Sequence, residues 1–176
     1  MSELASGYDV DRRAFTIGCG SELFERSRAA LLAWRHLAIP WLEICGATRP
    51  AATGQVVATL VRVSGLWLLS PCRVIYVEPG ETGEDHVAFA YGTLTGHVER
   101  GEERFSLRLD ATTGEVIYEI LAFSRPAIWL TRLGYPLARA LQRRFAYASA
   151  DALARVCGGT SRRVSSSDLL ARSSLG

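Results

Sequence analysis

The sequence predicts an α+β domain: consecutive antiparallel strands form a sheet, and one long C-terminal helix covers it. Three observations carry this prediction. Between residues 55 and 123 the chain breaks into runs rich in β-branched and aromatic residues. The connections between these runs are too short for helical crossovers, so sequential strands must run antiparallel. Beyond "SRP" the apolar period becomes helical, with Leu130, Leu133, Leu137, Leu141, Phe145, Ala148, Ala152 and Val156 on one stripe.

Taken in order, "RRAFTIGCG" predicts a first strand ended by glycines. "SELFERSRAALLAWRHL" predicts a helix, with Ser21 as N-cap and Leu23, Ala30, Leu31 and Trp34 at helical spacing. Pro40 ends that pattern, and "WLEIC" is expected as a second short helix before Gly46. "GATRPAATG" is a loop by composition. The strands are "QVVATLVRV", "LWLLSPCRVIYV", "HVAFAYGTL", "ERFSLRLD" and "EVIYEILAF". Turn signals separate them at Ser64-Gly65, "EPGETGED", "TGHVERGE" and "ATTG". Ser124 and Pro126 suit an N-cap and a first helical position, so the long helix is expected to start there. Gly134 and Pro136 would kink or divide it. Residues 1–157 therefore read as a single domain, and the Gly/Ser/Arg-rich residues 158–176 as a flexible tail.

The bulk properties agree with a globular chain. Its 176 residues are the size of one domain, and 48% hydrophobic content is enough for a core. No apolar run approaches the roughly 20 residues that span a bilayer, and no signal-peptide h-region opens the chain. A cytoplasmic protein that is not an integral membrane protein is expected. All 20 basic residues are arginine, which excludes lysine-based covalent chemistry. Net charge is only +2, and no nucleic-acid module is present, so no nucleic-acid partner is expected. Arg132, Arg139, Arg143 and Arg144 read as a solvated helix face. The four cysteines lack any C-x-x-C pair and are expected to be reduced, buried thiols. No G-x-S-x-G, Walker A or G-x-G-x-x-G pattern occurs, and "GCGSEL" is too short for a phosphate loop.

"GLWLLSPCRVIYV", "FAYGTLTGHVERGEERF" and "YEILAFSRPAIWLTRLGYPLARALQRRF" together resemble uncharacterised protein family 0548 over roughly residues 14–156. The G-H-x-E-x-G-E-E and F-S-R-P-A-x-W motifs carry the resemblance. The family brings no settled biochemical role. Its element order is similar to the helix-grip fold of the START and birch-pollen-allergen superfamily, a curved antiparallel sheet wrapped around a long C-terminal helix. That superfamily includes lipid carriers, polyketide cyclases and hydrophobic-ligand sensors. The resemblance thus implies a cavity between sheet and helix, not any one reaction.

The chemistry-bearing residues cluster in "GHVERGEERF". Strand parity places Glu103 with Phe105, Leu107 and Leu109, where a bare carboxylate is costly unless paired. His97, Arg73 and Arg104 are candidate partners. Glu103 and His97 are the candidate acid–base groups if the protein is an enzyme. The plainer alternative is a structural ion pair or a solvated hairpin end. One His with nearby Glu meets no strong ligand spacing, so no metal is expected, and no cofactor either. Tyr91 and Tyr118 either pack or orient a polar ligand group. Arg125 and Trp129 either cap the long helix or stand at the cavity mouth, and Arg73 and Glu99 complete the candidate ligand-binding set. The expected partner is a small hydrophobic, lipid- or polyketide-like ligand bound between sheet and helix. The alternative is a cofactor-independent cyclase or dehydratase acting on a polyketide-like substrate in specialised metabolism.

Overall fold

The structure, a computed structural model, describes residues 9–63, 65–78, 80, 85–94, 99–126 and 135–165. At residues 9, 63, 99–100, 124–126 and 135–138 it describes the backbone alone. The elements are β1 (Asp9–Cys19), α1 (Ser21–Leu32), a 3-10 turn (Arg35–Leu37), β2 (Leu42–Cys45), β3 (Val56–Val63), β4 (Leu66–Glu78), β5 (His86–Thr93), β6 (Glu99–Leu109), β7 (Glu115–Pro126), α2 (Tyr135–Cys157) and β8 (Arg162–Arg163). All strands join one antiparallel sheet in the order β2-β3-β4-β5-β6-β7-β1-β8. The run from β2 to β7 is a meander, as short connections require. The first strand then closes beside the last.

One face of this sheet is the core. The in-register row Phe89, Phe105, Ile120 and the row Val87, Leu107, Tyr118, Phe15 are all buried. The two helices and the 3-10 turn pack over these rows. Gly18, at the β1 bulge, has φ 143°, and a Cβ there would run into Leu23 of α1. The bulge thus lets α1 lie directly on the strand that precedes it.

Four local expectations are corrected. "WLEIC" contains β2, not a helix, because Leu42–Cys45 pair with Ala58–Val61 of β3. Gly20, not Ser21, is the N-cap of α1, and no side chain caps that end. Ser124, Arg125 and Pro126 continue β7 opposite Glu99, Arg100 and Gly101, so they do not start a helix. On α2 the buried residues are Ala146, Ser149, Ala150, Ala152, Leu153, Ala154 and Cys157, while Val156 is exposed. Of the expected stripe, Ala152 is buried and Phe145 and Ala148 pack against the core, whereas Val156 is exposed; Leu130 and Leu133 lie outside the described residues. The buried face is thus turned toward Ala146, Ser149, Ala150 and Leu153, mostly small residues that allow close approach.

The chain after α2 also differs from a tail beginning at residue 158. Gly159 lies so close to β1 that a Cβ would run into the Ile17 carbonyl. β8 pairs with Phe15–Thr16, and Val164 buries itself against Ala14 and Ile117 on the outer face. The Ser161 hydroxyl donates to Asp151. Two of the cysteines, Cys72 and Cys157, are buried as expected, whereas Cys19 and Cys45 are exposed.

Candidate functional site

The core face carries a short ladder of polar groups. Tyr91 of β5 stands opposite Glu103 of β6 in register, so both side chains point to the same side. The Tyr91 hydroxyl donates to the Glu103 carboxylate at 2.6 Å. Tyr91 is buried and its ring packs against Phe105 at 5.4 Å. Burial, and then the Glu103 charge, hold the Tyr91 phenol well above its ordinary range, so it remains a neutral donor. Across the sheet Cys72 of β4 shares this environment. Burial and the same carboxylate push its thiol up to about 12, which leaves it protonated and unreactive.

Tyr118 of β7 is fully buried, and its hydroxyl shares a hydrogen bond of 2.8 Å with Ser149 of α2. This bond ties sheet to helix. Burial raises the Tyr118 phenol well above its ordinary range, against a smaller lowering by Ser149.

Between these two pairs lies His36, which sequence reasoning did not single out. It follows Trp34, a non-glycine residue held at φ 62°, whose indole N–H donates to the Arg49 carbonyl at 3.2 Å. That left-handed residue ends α1 and turns the chain inward, so the 3-10 turn carries His36 into the core. The imidazole is fully buried, with ring centroids of Phe105 at 4.6 Å, Phe89 at 5.6 Å and Tyr118 at 6.4 Å. Neither ring nitrogen has a hydrogen-bond partner among the described residues. Burial lowers its pKa to about 3, and the backbone of Leu31 opposes this in part. His36 is therefore neutral at pH 7. The only signal in the sequence is one polar residue inside the apolar run "LLAWRHLAIPWL".

The remaining candidates fall elsewhere. Arg73 alternates with buried Cys72 and Val74, so it lies exposed on the outer face and does not meet Glu103. Arg104 also lies on the outer face, paired with Glu78 at 3.1 Å. His97 and Trp129 lie outside the described residues, as does Arg132. Glu99 and Arg125 are placed only by their backbones, at the adjoining ends of β6 and β7. The structure thus brings together Glu103, Tyr91 and, one strand over, Cys72, with Tyr118 and His36 deeper in the core. Among the described residues no group of three potential ligands could hold a metal ion.

A family described as a domain of unknown function, DUF1990, matches residues 1–152. The chain belongs to the DUF1990 family. A relative from Dictyostelium discoideum, a UPF0548 protein, is 37% identical over 90% of this chain and 77% of its own length. The chain has a helix-grip fold, a curved antiparallel sheet with a long C-terminal helix, which it shares with solved structures. The Zhui aromatase/cyclase of Streptomyces sp. R1128 superposes with a TM-score of 0.57 at 17% identity, over 86% of this chain and 94% of that one. A norcoclaurine synthase of Thalictrum gives 0.55 at 11% identity, over 85% and 94%. Identities this low establish a shared fold and nothing finer.

Proposed function

We propose that this DUF1990 protein binds a small, largely apolar ligand between the core face of its sheet and α2. The observation that carries the reading is His36. A buried imidazole with both nitrogens unsatisfied costs about 1–3 kcal/mol, so such a group calls for a partner. A ligand hydroxyl or carbonyl oxygen supplies one. Phe89, Phe105 and Tyr118 around the ring supply apolar walls. Native mass spectrometry of the protein purified from its source organism is the test. A stoichiometric, non-covalent organic adduct that His36→Phe loses is expected. Absence of any adduct, with no uptake of a fluorescent fatty acid, would overturn the reading.

A second reading has its own observation. The 2.6 Å bond between Tyr91 and Glu103 places a carboxylate beside a neutral phenol at the edge of the core. This pair suits a cofactor-independent cyclase or dehydratase, with Glu103 moving protons and Tyr91 polarising an oxygen. Glu103→Gln separates the two readings. A carrier keeps its adduct in that variant; an enzyme keeps the adduct and loses turnover by about a hundredfold or more.

A further inference from the structure

The far end of the β3–β4 hairpin is apolar and open. Leu66, Trp67, Leu68 and Leu69 are 70%, 49%, 38% and 54% exposed. β5 pairs with β4 only over Cys72–Glu78, and β2 reaches only as far as Val61 on β3. Just beyond those limits Arg62 still donates its backbone N–H to the Trp41 carbonyl and Pro71 accepts from the Leu94 N–H; from Val63 to Leu69 the described pairing is between β3 and β4 alone. Strand alternation sets Leu66 and Leu68 on one face and Trp67 and Leu69 on the other. The projection is therefore apolar on both faces.

A protein that docks on a sheet covers one face and leaves the other wet. A second copy of this chain meets a further difficulty, since four side chains are few against the roughly 20–30 residues a side of a stable interface. A lipid surface encloses both faces at once and needs no such area. The charges agree. Residues 56–73 carry Arg62 and Arg73, both exposed, and no carboxylate. Arg62 stands directly across from Trp67. Across the sheet, the exposed Glu43 lies opposite Leu60, level with Leu69 and two residues behind the Arg62–Trp67 row, so it bounds the depth to which the tip can enter.

We propose that this hairpin tip docks on an anionic lipid membrane, with Leu66, Trp67, Leu68 and Leu69 entering the headgroup–acyl boundary and Arg62 meeting lipid phosphates. Tryptophan favours that boundary, and arginine beside it adds attraction to anionic headgroups. The inference is independent of what the core binds.

Co-sedimentation of the full chain with vesicles is the test. The wild type is expected to pellet with mixed phosphatidylcholine–phosphatidylserine vesicles, less so as salt rises. The pair Trp67→Ser and Leu69→Ser should weaken binding on the order of tenfold or more, with an unchanged melting temperature, because both side chains are exposed. Arg62→Gln should weaken binding to the mixed vesicles and leave binding to phosphatidylcholine alone unchanged. The emission difference between wild type and Trp67→Phe should shift to the blue on adding vesicles, which a fold defect would not produce. No pelleting with either vesicle would overturn the proposal, as would a double variant that binds like the wild type. Concentration-dependent dimers lost in the double variant would also overturn it, and would assign the tip to a second copy.

Discussion

At the scale of single residues, burial decides the chemistry. His36 shows this most directly. Its folded pKa, about 3, lies below the unfolded value of 6.5, so the unfolded chain binds more protons between those limits. Stability is therefore complete above pH 6.5 and falls as the pH drops toward 3. The slope approaches about 1.4 kcal/mol per pH unit. Urea unfolding of wild type and His36→Phe across that range should show a difference that grows with acidity; parallel profiles would show that the imidazole is not buried. At neutral pH His36→Phe should be as stable as the wild type or more so, since it removes two unsatisfied atoms. The thiols give a second test. Cys19 and Cys45 are exposed, while Cys72 and Cys157 are buried. A thiol reagent should label two sites quickly in the folded protein, and the other two only on unfolding. Fast loss of Cys72 would place it outside the core.

At the scale of elements, close approach governs the C-terminal half. The face of α2 that packs inward is built from Ala146, Ser149, Ala150, Leu153 and Cys157. Leu153→Asp should unfold the domain, because an unpaired charge would enter the core. Val156→Asp, one position beyond the buried face, should change stability by less than about 0.5 kcal/mol. Equal effects of the two would mean that the helix is turned differently. The segment after α2 is held by the Gly159 contact, by β8 and by Val164. A chain ending at Cys157 should lose several degrees of melting temperature, and Gly159→Ala should cost about 2 kcal/mol or more. Residues 158–165 would be dispensable only if both changes were silent.

At the scale of the molecule, one continuous sheet carries one main core. A single cluster of buried residues runs from Ile39 and Leu42 through Phe89 and Phe105 to Ala150 and Cys157. Unfolding should therefore be a single cooperative event. Heat-induced loss of near- and far-ultraviolet circular dichroism should coincide, and separated transitions would argue for two units. The Tyr118–Ser149 bond spans the two layers inside this core. Tyr118→Phe should cost about 1–2 kcal/mol, since it leaves the serine hydroxyl unpaired.

Some of this was legible in the sequence. Short connections and β-branched runs determined an antiparallel meander, and a helical period beyond "SRP" determined the long helix, described from Tyr135 to Cys157. Period-2 alternation was enough to place Glu103 with Phe105 and Leu107, because side-chain direction in a strand is a local property; the register that sets it opposite Tyr91 came from the pairing of β5 with β6. The same alternation turns Arg73 outward, which a list of candidate partners by charge alone overlooked. Other features depend on contacts between distant segments. "WLEIC" is too short for its period to distinguish strand from helix, and pairing with β3 decided it. The face of α2 was anticipated only in part, through Phe145, Ala148 and Ala152, because apolar size is visible in a sequence, whereas the room beneath a helix is not. His36 was missed for the same physical reason: the cost of an unsatisfied polar atom exists only once Phe89, Phe105 and Tyr118 have closed over it.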